Sequence, residues 1–106
     1  MQRGEVRWYR FGRPDKRRPV VVLTRGSAIE YLAETTVAPI TRTIRGIPSE
    51  LPLDRRHGLR GRSVAGCDSL QTIPKDVLGP RPVGALSPDE LAALDRALRF
   101  ALGIRA

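Results

Sequence analysis

Arg18, Thr41 and Asp68 are three side chains whose types could together break a phosphodiester. RNA carries its own nucleophile, the 2′-hydroxyl. A protein can cleave it without a metal by removing that proton, stabilising the pentavalent phosphate and protonating the leaving 5′-oxygen. Such a reaction needs a positive clamp, a hydroxyl donor and an acid–base group. Arginine, threonine and aspartate supply these types, and each of the three lies at an end of a predicted strand. Other chemistries fit less well. The single cysteine, Cys67, excludes an internal disulfide, and with only one histidine, His57, a structural zinc site is not expected. Cys67 lies in a small apolar stretch and reads as inert core rather than nucleophile. The glycines from 58 to 66 lack phosphate-loop spacing.

The elements that must position these groups follow from patterning. Lys16-Arg17-Arg18-Pro19 leads into Val20-Val21-Val22-Leu23, an unbroken apolar run expected to be a strand buried on both faces. A strand over 18–24 would hold Arg18 rigidly at its solvent end. A first strand is expected over 4–11, a Gly-Arg-Pro-Asp turn at 12–15, and a third strand over 35–43. Pro39 in that strand requires an edge, a bulge or a non-bonding position. Further strands are expected at 49–53, at 63–67 with a continuation through Asp68 to Ile73, and at 81–86, with one helical turn over 74–79. His57 falls in a basic, glycine-punctuated loop over 54–62, expected to be exposed. Ser87, Pro88 and Glu90 form a capping box that opens a final helix, and Gly103 ends it. Leu91, Leu94, Leu98, Ala101 and Leu102 form its apolar stripe, and Asp95 can pair with Arg99 at i,i+4. Short strands followed by one helix argue for a small twisted sheet or partly closed barrel.

Charge narrows the partner. The net charge is +8, and 17 of the 19 basic residues are arginine. Residues 1–62 carry the whole excess, while 63–106 balance. A one-sided arginine field suits a polyanion, because the guanidinium fork matches phosphate oxygens. No run of about 18 apolar residues exists for a membrane span, and the N-terminus lacks a signal-peptide core, so a cytoplasmic protein is expected.

Five stretches, in order, carry a resemblance. They are Arg3-Gly4-Glu5-Val6, Arg18-Pro19-Val20-Val21-Val22-Leu23, Thr36-Val37-Ala38-Pro39-Ile40-Thr41, Cys67-Asp68-Ser69-Leu70-Gln71-Thr72-Ile73, and the Leu-Ser-Pro-Asp-Glu-Leu opening of the last helix. With them the chain resembles the MazF/PemK family of type II toxin–antitoxin systems over essentially its whole length, 1–106, as one domain. The resemblance implies a mainly β fold with a C-terminal helix, the SH3-like small β-barrel of CcdB, MazF and PemK toxins. It implies a homodimeric, metal-independent endoribonuclease without cofactor. Such an enzyme cuts single-stranded RNA at short sequences and leaves a 2′,3′-cyclic phosphate and a 5′-hydroxyl. The implied partner is a MazE-like antitoxin with an acidic C-terminal tail, in some cases in a heterohexamer.

Position by position, Arg18 matches the family arginine before proline, given acid–base and phosphate-stabilising roles. Thr41 matches the family threonine that donates a hydrogen bond to the transition state. Asp68 matches the aspartate that is a general base in the PemK branch and a structural partner in the MazF branch; both roles stay open. His57 is a second candidate for proton transfer. Arg17, Arg42, Arg45, Arg55, Arg56 and Arg60 are candidates for the RNA groove, and Trp8 and Tyr9 could stack a base. The chain departs from the family at Gly66, where the PemK branch has arginine, and at Ser69 and Gln71. A CcdB-like gyrase poison and a non-catalytic RNA-binding module are the alternatives. The former act through the last helix and lack the arginine–threonine pair.

Overall fold

The computed structural model describes residues 1–10 and 17–105. Phe11 of the expected first strand, the turn at 12–15 and Lys16 lie outside the described residues. Among the described residues there are seven strands: β1 (Glu5–Arg10), β2 (Arg17–Val22), β3 (Glu34–Thr41), β4 (Glu50–Leu53), β5 (Ser63–Gly66), β6 (Gln71–Pro74) and β7 (Gly84–Ala85). They form a curled half-barrel sheet in the order β4-β5-β3-β2-β1-β7, with β6 also on β3. A short helix α1 (Gly26–Ile29) follows β2, and α2 (Pro88–Leu102) closes the chain. The expected mainly β architecture with a C-terminal helix is the one observed.

Val20, Val21 and Val22 are essentially inaccessible, as a β-branched run in a central strand should be. Residues paired across antiparallel strands share a face. Val20, Val22 and Val37 face one cluster with Ile29, Ile73 and Leu78. Val21, Ala38 and Ile40 face the other, under Leu94 and Ala97 of α2.

β3 is the strand on which both halves of the sheet meet. Its first part, to Val37, pairs with β6, and its last part, Ile40 and Thr41, pairs with β5. Pro39 falls between the two pairings, where its missing N–H leaves no ladder gap. β5 and β6 run along the same edge, so the expected continuation is right in direction. The chain between them, however, is a 3-10 turn at Cys67–Ser69, 3 residues long, and the register on β3 slips by that length. Asp68 is thereby lifted out of the ladder. The Cys67 N–H, bonded to the Ser49 carbonyl at 3.0 Å, fixes the turn.

The helix starts as expected. Ser87 Oγ accepts from the Glu90 N–H at 3.2 Å, Glu90 Oε1 accepts from the Ser87 N–H at 2.8 Å, and Gly103 caps the end at φ 70°. Two expectations about its faces are corrected. Leu102 is exposed, because the last turn runs past the sheet, and Ala97 takes a buried place instead. Asp95 pairs with Arg3 at 2.6 Å rather than with Arg99, since the β1 entrance lies beneath that face. The last strand is shorter than expected: Pro80 and Pro82 lack donors, so only Gly84 and Ala85 pair with β1.

Candidate active site

The β2–β3 ladder ends at Val20↔Pro39. Carried two residues further, the same register sets Arg18 across from Thr41. On its other side Arg18 pairs with Tyr9 of β1. Both Arg18 and Thr41 are exposed, at the ends of strands that are buried at Val20 and Ile40. A strand end so anchored can aim a side chain without sharing in loop motion.

Thr41 lines two cavities. One, of about 340 Å³, also has Trp8, Arg17, Arg42 and Arg60 on its walls. The other, of about 270 Å³, has Arg45, Ser49, Glu50 and Asp68. Arg18 borders a third, of about 280 Å³, with Tyr9, Pro39 and Gln71. The structure thus puts Thr41 and Asp68 on the walls of one cavity, while Arg18 borders a separate one and is level with Thr41 only by continuing the strand register.

Each acid here has a defined partner. The Ser49 hydroxyl donates to Asp68 Oδ2 at 2.5 Å, and Ser49 is itself buried. Glu50 accepts from the backbone N–H groups of Arg45 (3.1 Å) and Gly46 (2.9 Å), with Gly46 at φ 72°. That carboxylate folds the 44–48 loop and sets Arg45 at the cavity. Thr41 Oγ1 accepts from the Thr43 N–H at 3.1 Å, which leaves its own proton free to donate outward. Burial, with the adjacent Asp68 charge, pushes the Cys67 thiol up to about 11. Cys67 is accordingly a packed core residue.

The basic loop differs from expectation. His57 is 2% exposed, not solvated. Its Nδ1 accepts from the Asp54 N–H at 3.1 Å, so Nε2 carries the proton and donates to Glu90 Oε2 at 2.6 Å. The cause is a 3-10 turn at Arg55–His57, capped by Asp54, which rotates the ring inward against the start of α2. His57 is corrected from an exposed loop group to a buried link between that turn and the helix. Glu90 is pulled below the ordinary carboxylate value by the Ser87 N–H, against burial, with help from His57.

The candidate groove arginines divide. Arg17, Arg42 and Arg60 share a cavity with Thr41, and Arg45 shares one with Thr41 and Asp68. Arg55 donates to the Arg60 carbonyl at 3.2 Å and so braces the loop. Arg56 lies beside α2, bonded to Asp54 at 3.1 Å and 4.0 Å from Glu90, in a cavity that does not include Thr41. Its hydrogen bonds hold Asp54 below the usual carboxylate range. Trp8 is half-buried with the Arg17 guanidinium 5.3 Å above its ring. Sequence patterning missed Ser49, Glu50 and the bond between His57 and Glu90. Only Glu90 had a local signal, the capping box, and nothing local links Ser49 to an aspartate 19 residues on.

Comparison with known proteins agrees with this architecture. The family described as "PemK-like, MazF-like toxin of type II toxin-antitoxin system" matches residues 2–102. The chain is 47% identical over 89 residues to Endoribonuclease MazF3 of Mycobacterium tuberculosis, covering 84% of this chain and 82% of that one. It is 40% identical over 101 residues to Probable endoribonuclease MazF5 of the same species, covering 94% and 91%. Among solved structures, Mycobacterium tuberculosis toxin MazF-mt6 superposes with a TM-score of 0.87 at 39% identity, covering 96% of this chain and 99% of that one. A mycobacterial endoribonuclease solved in complex with its cognate antitoxin superposes at 0.85 with 25% identity, covering 100% and 98%. With matched motifs, fold and relatives in agreement, the chain belongs to the PemK-like, MazF-like toxin family of type II toxin–antitoxin systems.

Proposed function

We propose that the chain is a toxin endoribonuclease that cuts single-stranded RNA through its 2′-hydroxyl, without a metal or other cofactor. The 2′-oxygen gives up its proton and attacks phosphorus, the P–O5′ bond breaks, the leaving 5′-oxygen takes a proton from solvent water, and the products are a 2′,3′-cyclic phosphate and a 5′-hydroxyl. Arg18 holds the phosphate and offsets the charge that builds on its oxygens. Thr41 donates a hydrogen bond to the same group. Asp68 takes the 2′-proton on Oδ1, because Ser49 occupies Oδ2. An arginine of normal pKa is a poor base, so its part is electrostatic. His57, with both nitrogens engaged, has no part in the proton transfers. The observation that best supports the reading is the β2–β3 register, which, continued two residues past Val20↔Pro39, brings Arg18 level with Thr41, while Thr41 and Asp68 line one cavity, in a chain of this family.

Purified protein in EDTA should cut single-stranded RNA and leave cyclic-phosphate ends. Arg18→Ala and Thr41→Ala should each lower the rate by roughly 10²–10³ with the fold intact. Full activity in both variants would sink the assignment. Relaxed DNA accumulating in cells whose RNA stays intact would replace it with gyrase poisoning, and salt-sensitive RNA binding without cleavage with a binding module.

The chain acts as a homodimer whose partner is an antitoxin with an acidic tail, in a heterohexamer when complexed. This is supported by the arginine-rich walls around Thr41 and by the antitoxin-bound neighbour. Sedimentation showing only monomer at micromolar concentration would contradict the dimer.

A further inference from the structure

Trp8 borders a cavity that the proposed chemistry does not use. This second cavity, of about 510 Å³, shares Trp8 and Arg17 with the cavity that Thr41 lines but does not include Thr41. Among the described residues its apolar lining is buried Leu78, half-buried Val77 and exposed Pro80, and Arg10, Arg17 and Arg81 stand with one carboxylate, Asp76. Arg17 and Trp8 line both cavities, so their stacked pair is the divide between them.

The wall is held from two directions. The Gly79 N–H donates to the Trp8 carbonyl at 2.7 Å. The Gly79 carbonyl accepts from Arg7 at 2.8 Å, and Arg7 is buried and paired with Glu5 at 3.0 Å. Arg10 and Arg81 are exposed at the mouth. An apolar lining ending in an aromatic edge, with guanidinium forks beside it, suits a flat base with a phosphate on either side. An acidic peptide would use the arginines but leave the apolar lining and indole without a partner.

We propose that this cavity is a distal nucleotide subsite. RNA entering past Thr41 crosses the Trp8–Arg17 pair and places one unpaired nucleotide here, its base against the indole and its flanking phosphates on Arg10 and Arg81. The inference rests on the endoribonuclease reading and deepens it. The recognised strand extends past the cut, and the substrate must be unpaired there, because a base in a duplex cannot reach the ring.

Trp8 is the only tryptophan, so intrinsic fluorescence reads this site directly. The probe is a ten-nucleotide single-stranded 2′-O-methyl RNA of mixed sequence, which cannot be cut because its 2′-oxygen is blocked. It should quench Trp8 emission in the full chain, while the same sequence as a duplex should not. In the Arg10→Ala/Arg81→Ala double variant, binding should weaken by about tenfold or more. The slope of log affinity against log salt should fall by about 1.4, as loss of two single-strand phosphate contacts requires. Cleavage of single-stranded RNA by the unaltered chain separately tests the underlying reading. Cleavage without quenching, or quenching and salt slope indifferent to the double variant, would overturn the subsite and leave the enzyme standing. Failure of the unaltered chain both to cut and to bind would overturn the enzyme itself. Quenching by a ten-residue polyglutamate but not by RNA would assign the cavity to an acidic protein partner and overturn the proposal.

Discussion

Arginine and lysine differ in what they offer a phosphate. A guanidinium presents two parallel donors in a fixed plane, whereas an ammonium is a point charge on a flexible stem. If Arg18 works by bidentate stabilisation, Arg18→Lys keeps the charge and still loses at least about tenfold in rate, with substrate affinity less affected. Single-turnover kinetics beside a binding isotherm would separate the two. Asp68 can be tested through its partner. Ser49→Ala frees Oδ2 and leaves the fold's ladder untouched, because the bond lies in the 3-10 turn. A general base should respond with a changed single-turnover rate at unchanged substrate affinity, while a purely structural aspartate would show lower stability and an unchanged rate. Cys67, with its thiol near 11, presents only roughly one thiolate in a thousand at pH 8. Alkylation should therefore be undetectable in the native protein and rapid after denaturation; fast native labelling would show the residue is not packed as described. The surroundings of these candidate residues are only partly legible in the sequence. Residue type and strand-end position pointed to Arg18, Thr41 and Asp68, but their neighbours Ser49 and Glu50 come from distant segments, and tertiary proximity leaves no local mark.

Elements were legible where one signal dominated. The valine run made β2 readable, and the Ser87–Glu90 box made the start of α2 readable. The turn at Cys67–Ser69 was not, because its apolar neighbours continue the β pattern and only pairing on β3 shows the three-residue slip. The inward face of His57 was equally hidden, as its burial depends on α2 arriving 33 residues later. The link has a measurable consequence. Glu90 has a folded pKa below its ordinary 4.5. Its contribution is therefore complete at neutral pH and above the unfolded value, and is lost as pH falls through the lower folded value. Glu90→Gln should lower the melting temperature at pH 7 and flatten its decline between about pH 5 and 3. An unchanged acid limb would place the sensitivity elsewhere, with Glu5 next. Burial pushes Glu5 up, but the Gln2 N–H and Arg7 outweigh it and hold it low.

At the scale of the molecule, one chain has a Cα radius of gyration of 12.9 Å. Solution scattering close to that value would mark a monomer, and a clearly larger one the proposed dimer. β3 has a particular place in so small a body. It bonds β2 on one edge and both β5 and β6 on the other, and at Val37 both edges are paired at once, so its centre cannot open without breaking two ladders. Backbone amides at Val37, Ala38 and Ile40 should therefore exchange with deuterium only through global unfolding, at the slow limit of the whole chain. Amides in the 44–48 loop, held by one carboxylate, should exchange orders of magnitude sooner. Thr41 thus sits on the boundary between the most and least protected parts of the protein. Its pairing with Val64 of β5, rather than contact with any ligand, would keep its hydroxyl in place until that ladder opens.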